Sequence, residues 1–180
     1  MDIIKIQVIF AAAATASACV ASVYDLRERR IPNWLTAPLL LAGVAAHAIT
    51  SHWRGLSEAT AAALLGGIIF LGFYLAGGMG AGDVKLMAAS SAVVGLPTLG
   101  TLLIATGVCG ALFAICVSVI RGVFRQSVAN TCAVLTHHRT QGFTPHPEFN
   151  LHSGTGIRLP FALPIAAGCA FTLTALVVHL

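Results

Sequence analysis

Acidic side chains able to move protons are scarce in this chain. Its aspartates are Asp2, Asp25 and Asp83. Asp2 is terminal. Asp25 stands in Tyr24-Asp25-Leu26-Arg27-Glu28-Arg29-Arg30-Ile31-Pro32-Asn33, and Asp83 in Gly80-Ala81-Gly82-Asp83-Val84-Lys85-Leu86. Two carboxylates held a few Å apart cannot both ionise, so such a pair keeps one proton between them. The ionised partner takes a proton from water while the other donates to a carbonyl oxygen or a leaving amine. Acid–base hydrolysis of an amide needs both acts. Which aspartate does which is a property of the pair.

Each aspartate also has a purely local explanation. Asp83 opens an apolar run, where an acid serves as a helix N-cap. Asp25 closes one, where the helix dipole disfavours an acid, so local propensity does not ask for it. Its bland alternative is a surface ion pair with Arg27, Arg29 or Arg30, of little energetic weight. Gly77, Gly78, Gly80 and Gly82 crowd in just before Asp83. Glycine permits positive φ and close backbone approach, so a substrate strand can lie along such a loop. The competing use of these glycines is helix packing in a membrane. Lys85 reads as an interface anchor with a snorkelling side chain, or as a group that tunes Asp83. Asn33 and Trp34 are expected to cap and anchor the helix that follows.

The elements that position these residues follow from composition. Of 180 residues, 57% are hydrophobic and 9% charged, and the mean hydropathy is +0.89. A soluble domain carries about 25% charged residues, so lipid is the natural solvent for this chain. The net charge of +4 is dispersed between apolar runs and not gathered on a face, which excludes a nucleic-acid binder and reads as topology signal. Cys19, Cys109, Cys116, Cys132 and Cys169 form no C-x-x-C pair and read as small hydrophobes.

A spanning helix needs about 20 apolar residues. Residues 3–23, 34–50, 59–76 and 159–180 qualify or nearly so. The first is longer than a signal-peptide core and precedes a basic turn and another apolar run, which favours a retained helix. Residues 86–120 carry no charge at all, and as one helix would run about 52 Å, too long for a membrane. Gly95-Leu96-Pro97 is the expected break, giving a short helix over 83–95 and a long one over 97–120. The expectation is an all-α polytopic membrane protein with about six transmembrane helices, residues 1–180 forming one membrane-embedded domain.

Charge supports that parity. If every helix crosses, one face holds Arg27, Arg29, Arg30, Lys85, Arg121, Arg125, Arg139 and Arg158, and the other Lys5 and Arg54. The basic face is cytoplasmic by the positive-inside rule. Asp25 and Asp83 are one outward and one return helix apart, so both lie at that face. The short helix spans only about 20 Å, so its Asp83 end is expected to start below the membrane surface. Residues 121–158 form the one extended polar segment. Phe124, Val128, Cys132 and Leu135 recur at helical spacing, suggesting an interfacial helix over its first half. Residues 140–150 read as loop. His137, His138, His146, His152 and Glu148 have irregular spacings, so a solvated loop is preferred there over a metal site.

The two aspartate motifs together resemble the type IV prepilin peptidase family, which belongs to the G-x-G-D membrane aspartyl proteases. Asp25 through Asn33 matches the first motif of that family, an aspartate ahead of a basic stretch and Ile-Pro-Asn. Gly80 through Leu86 matches the second. Arg158-Leu159-Pro160-Phe161-Ala162-Leu163-Pro164 is similar to the start of the family's last helix. The resemblance implies an aspartic endopeptidase with Asp25 and Asp83 catalytic, and with Gly78, Gly80, Gly82, Lys85 and Pro160 contacting substrate. It implies a bacterial inner-membrane location, an active site facing the cytoplasm, and cleavage of prepilin or pseudopilin leaders after a glycine. Pilus-assembly machinery is a possible partner. Larger family members carry an insertion with paired C-x-x-C motifs that methylates the product. Nothing here matches it, so peptidase activity without methyl transfer, metal or cofactor is expected. The compact form is similar to Tad/Flp-type peptidases.

Two other classes compete. A small ion- or proton-coupled transporter would also carry intramembrane acids, but here both acids lie near one face with no relay beyond. A non-catalytic pilus-assembly subunit would tolerate loss of either aspartate. Presenilin-like intramembrane proteases share Tyr-Asp and G-x-G-D, but six helices and the Ile-Pro-Asn turn favour the prepilin branch.

Overall fold

The computed structural model describes residues 3–141 and 160–178. Six helices follow in chain order: α1 Ile3–Glu28, α2 Asn33–Leu75, α3 Ala81–Val94, α4 Leu96–Ile120, α5 Phe124–Gln141 and α6 Ala162–Val178. Three of them, α1, α2 and α4, are long and apolar enough to cross a membrane. With its all-helical order and its exposed large apolar side chains, such as Leu41, Ile68, Ile104 and Leu112, the chain is an all-α polytopic membrane protein.

The two apolar runs expected over 34–50 and 59–76 are joined without a loop. Within α2, Ser51 (φ −131°, ψ 17°) and His52 (φ 53°, ψ −135°) leave helical geometry and fold the second arm back on the first. Gly55 makes this turn feasible. A Cβ there would lie 2.0 Å from the His47 carbonyl oxygen. Thr50 Oγ1 donates to the carbonyls of Ala46 and His47 beside the break.

The second expected break falls where the sequence placed it. Gly95 separates α3 from α4 with φ 77°, a conformation open to glycine. His47 covers it. Its Nε2 donates to the Val93 carbonyl at 3.0 Å, and its ring packs tilted at 50° against Phe10 with centroids 4.5 Å apart. The reversal in α2 and the break after α3 therefore share one end of the bundle.

Small residues set the packing. α1 buries Ala11, Ala14, Ala18 and Ala21, all at 0% exposure, at alternating steps of three and four that define one helical face. On the second arm of α2 the matching stripe is Ala59, Ala62, Gly66 and Phe70. Gly43 of the first arm lies against Val93, while Gly66 of the second lies against Ser91. α3 is thus clasped between the two arms, parallel to the first and antiparallel to the second. Leu86, Met87, Ala89, Ser90, Ser91 and Ala92 of α3 are all fully buried, which makes this short helix the centre of the bundle. α4 and α6 pair antiparallel through Thr106 on Gly168 and Phe161 on Gly110, contacts so close that a Cβ at Gly168 would meet Thr106 backbone at 2.9 Å.

α5 leaves the end of α4 through Gly122 (φ 68°), and its Phe124, Val128 and Cys132 are exposed. Of the loop expected over 140–150, Thr140 and Gln141 are instead the last residues of α5; the rest, and Arg158-Leu159 ahead of the last helix, lie outside the described residues.

Candidate active site

Asp25 continues the alanine stripe of α1. After Ala11, Ala14, Ala18 and Ala21 the next position on that face is 25, so the carboxyl group points into the bundle and not toward lipid. The helix runs on to Glu28. Arg29 then turns the chain with φ 52°. At the far end of the sequence, α6 begins beside this carboxylate. The Ala162 N–H donates to Asp25 Oδ2 at 3.4 Å across 137 residues. The first N–H groups of a helix lack intrahelical acceptors, and the dipole there favours an anion. The acid at the unfavourable end of α1 is thereby compensated by the favourable end of α6.

Asp83 is placed differently. It occupies the third position of α3, not the cap itself, which is Gly80. Its Oδ2 accepts from the Gly80 N–H at 3.1 Å, and its own N–H donates to the Gly80 carbonyl at 3.2 Å. Gly80 has no side chain to return the favour, so half of a capping box is made. Asp83 is 8% exposed, and Asp25 is half-buried.

The two carboxylates share one open cleft of about 530 Å³. Glu28, Arg29 and Arg30 form part of its wall, with Ile31, Pro32 and Asn33 below. Gly80, Ala81, Gly82 and Lys85 close the opposite side. The turn after α1 and the start of α3 therefore face each other. Ile31 sits over Gly82, where a Cβ would come 3.2 Å from the Ile31 Cβ. Lys85 Nζ donates to Asn33 Oδ1 at 3.0 Å.

Several expectations change here. Gly80, Gly82 and Lys85 line the cleft, but Gly78 and Pro160 do not. The Gly78 N–H donates to the Phe73 carbonyl and finishes α2, and the Pro160 carbonyl accepts from Leu163 N–H at the start of α6. Of the four glycines before Asp83 only Gly77 takes positive φ (78°). Gly80 is extended at φ −86°, and Gly82 is needed for room beneath Ile31. Asn33 does not cap α2 with its side chain; Pro32 is the N-cap residue, and the Asn33 amide is taken by Lys85.

The Ala162 N–H was not foreseen as part of the site. The signal available for it was the pair of prolines around the start of α6, which fixes where that helix begins. Among the described residues no three or more His, Cys, Asp and Glu side chains converge as metal ligands would. His146, Glu148 and His152, and the side chains of His137 and His138, lie outside what is described. Chemically, the cleft offers two carboxylates in one open space, at one end of an apolar bundle.

Comparison with known proteins gives a family match. A sequence model of the type IV leader peptidase family matches residues 12–115, a stretch that holds both aspartates. Searches of curated proteins and of solved structures returned no match.

Proposed function

From the premise that this chain belongs to the type IV leader peptidase family, we propose that it is an aspartic endopeptidase whose catalytic groups are Asp25 and Asp83. The observation that carries the proposal is their shared cleft, reached from motifs far apart in the sequence. In the working state the pair holds one proton. The ionised carboxylate takes a proton from a water molecule, which attacks the scissile carbonyl. The protonated partner donates to the carbonyl oxygen, and the nitrogen is protonated as the C–N bond breaks. Ala162 and Gly80 N–H groups hold one oxygen of each carboxylate, leaving the others for water and substrate.

The substrate in this reading is the leader of a type IV, Flp-like prepilin, cut after a glycine just before its apolar helix. The enzyme lies in the bacterial inner membrane with the cleft facing the cytoplasm, as the distribution of Lys and Arg supports. α3, with 14 residues, is about 21 Å long against a hydrocarbon core of about 30 Å. Its Asp83 end then opens below the membrane surface, where the substrate's apolar segment meets polar leader.

The test is co-expression with candidate prepilins and N-terminal sequencing of the product. The intact chain should release a mature pilin, and Asp25→Asn or Asp83→Asn should each lower processing by about 1,000-fold with membrane insertion unchanged. Normal processing by either variant would overturn the assignment.

A further inference from the structure

We propose that Asn33 and Lys85 are positioning residues that set the spacing of the two aspartates; this rests on the proteolytic reading above. Asp83 stands at the start of α3, and α3 is approached through Gly77, Gly78 and Gly80. Such a run resists bending little, because glycine has the widest choice of backbone conformations. The body of α3 is held between the arms of α2, so the glycine-led first turn is the part whose place depends on contacts of its own. Asp25 is fixed by α1 and by the start of α6. The separation of the two carboxylates depends on what joins the first turn of α3 to the end of α1.

Two contacts bear on it, one from Ile31 in the short turn that leaves α1 and one from Asn33 at the start of α2. Ile31 rests on Gly82 at a distance that leaves no room for a Cβ without movement. Asn33 Oδ1 accepts from Lys85 Nζ at 3.0 Å, across 52 residues of sequence. Lys85 lies two residues after Asp83, about 200° around the helix. Its bond to Asn33 ties the first turns of α3 to the start of α2, beside the cleft that both residues line. The contact is solvent-exposed, so it contributes little to stability; its effect is on geometry. Catalytic groups displaced by about 1 Å lose rate steeply, and the proposed role is to prevent that displacement.

The experiment compares Asn33→Ala, Lys85→Met and the double variant in cleavage of a prepilin by the full chain in membranes. Each single change should lower kcat about tenfold with KM within about twofold, and the double should be no worse than either alone, since they remove one shared bond. Asn33→Asp keeps an acceptor and should restore near-normal turnover. The pH profile of Lys85→Met should keep its position, as a positioning role requires. Additive losses, a change in KM alone, or a displaced pH profile would overturn the proposal. A second readout needs no activity. With the five native cysteines replaced, Asp25→Cys/Asp83→Cys should form a disulfide readily on mild oxidation, and severalfold more slowly once Asn33→Ala or Lys85→Met is added. Unchanged cross-linking would overturn the positioning role. If the cysteine pair cross-links as expected while the chain with both aspartates intact cleaves no prepilin, the proteolytic reading fails and the clamp stands.

Discussion

The two aspartates reach the same cleft by opposite routes. Asp83 is held locally: its carboxylate accepts from a backbone N–H three residues earlier in its own helix start, and it is buried. Asp25 is held from a distance: its partner is the first turn of α6, and it is half open to the cleft. A locally capped group keeps its place as long as its helix starts correctly. A group capped by another helix keeps its place only while the bundle is assembled. The pair thus combines one secondary-structure constraint with one tertiary constraint.

That contrast can be broken first by lengthening each acid. Asp83→Glu adds a methylene in a buried, capped position and should cost about 100-fold or more in prepilin cleavage. Asp25→Glu, at the half-open site, should lose several times less. Equal losses measured side by side would show that the two environments are equally rigid.

A smaller effect is expected from removing the distant partner. Ala162→Pro deletes one N–H at a helical position where proline is accepted, and should slow cleavage about tenfold while circular dichroism keeps its helical signal. An unchanged rate would mean that the α6 contact is incidental to Asp25.

The smallest effects should separate the two glycines before Asp83. Gly82→Ala must push Ile31 aside from 3.2 Å and is expected to reduce cleavage about fivefold. Gly80→Ala meets nothing nearer than Asp83 Oδ2 at 3.4 Å and has an ordinary φ, so its rate should stay within about twofold. The reverse order would restore a loop in which conformational freedom, not room, is what the glycines supply.

Much of the fold was legible because lipid forces periodic, uncharged runs on any helix that crosses it. The break at Gly95 followed from 35 uncharged residues being too many for one span. The return of residues 25 and 83 to one end followed from counting crossings. What escaped was non-local. The reversal at Ser51–His52 is a two-residue departure between two helical arms, with no proline or glycine pair to announce it. The bonds from Lys85 to Asn33 and from Ala162 to Asp25 join positions 52 and 137 residues apart, and such pairings leave no periodic trace. The glycines misled for a related reason: a sequence shows that a side chain is missing, but not whether a neighbour or a dihedral required its removal.

The alanine seam of α1 has one more consequence. Because four fully buried methyl groups line this face of the helix, the seam behaves like a thin gasket beneath the carboxylate at position 25. Thicken it by one larger residue at Ala18 or Ala21, and the helix is jacked outward while lipid still solvates its other sides. Such a chain would insert and fold with its acid lifted out of register, so chemistry would fail well before architecture does.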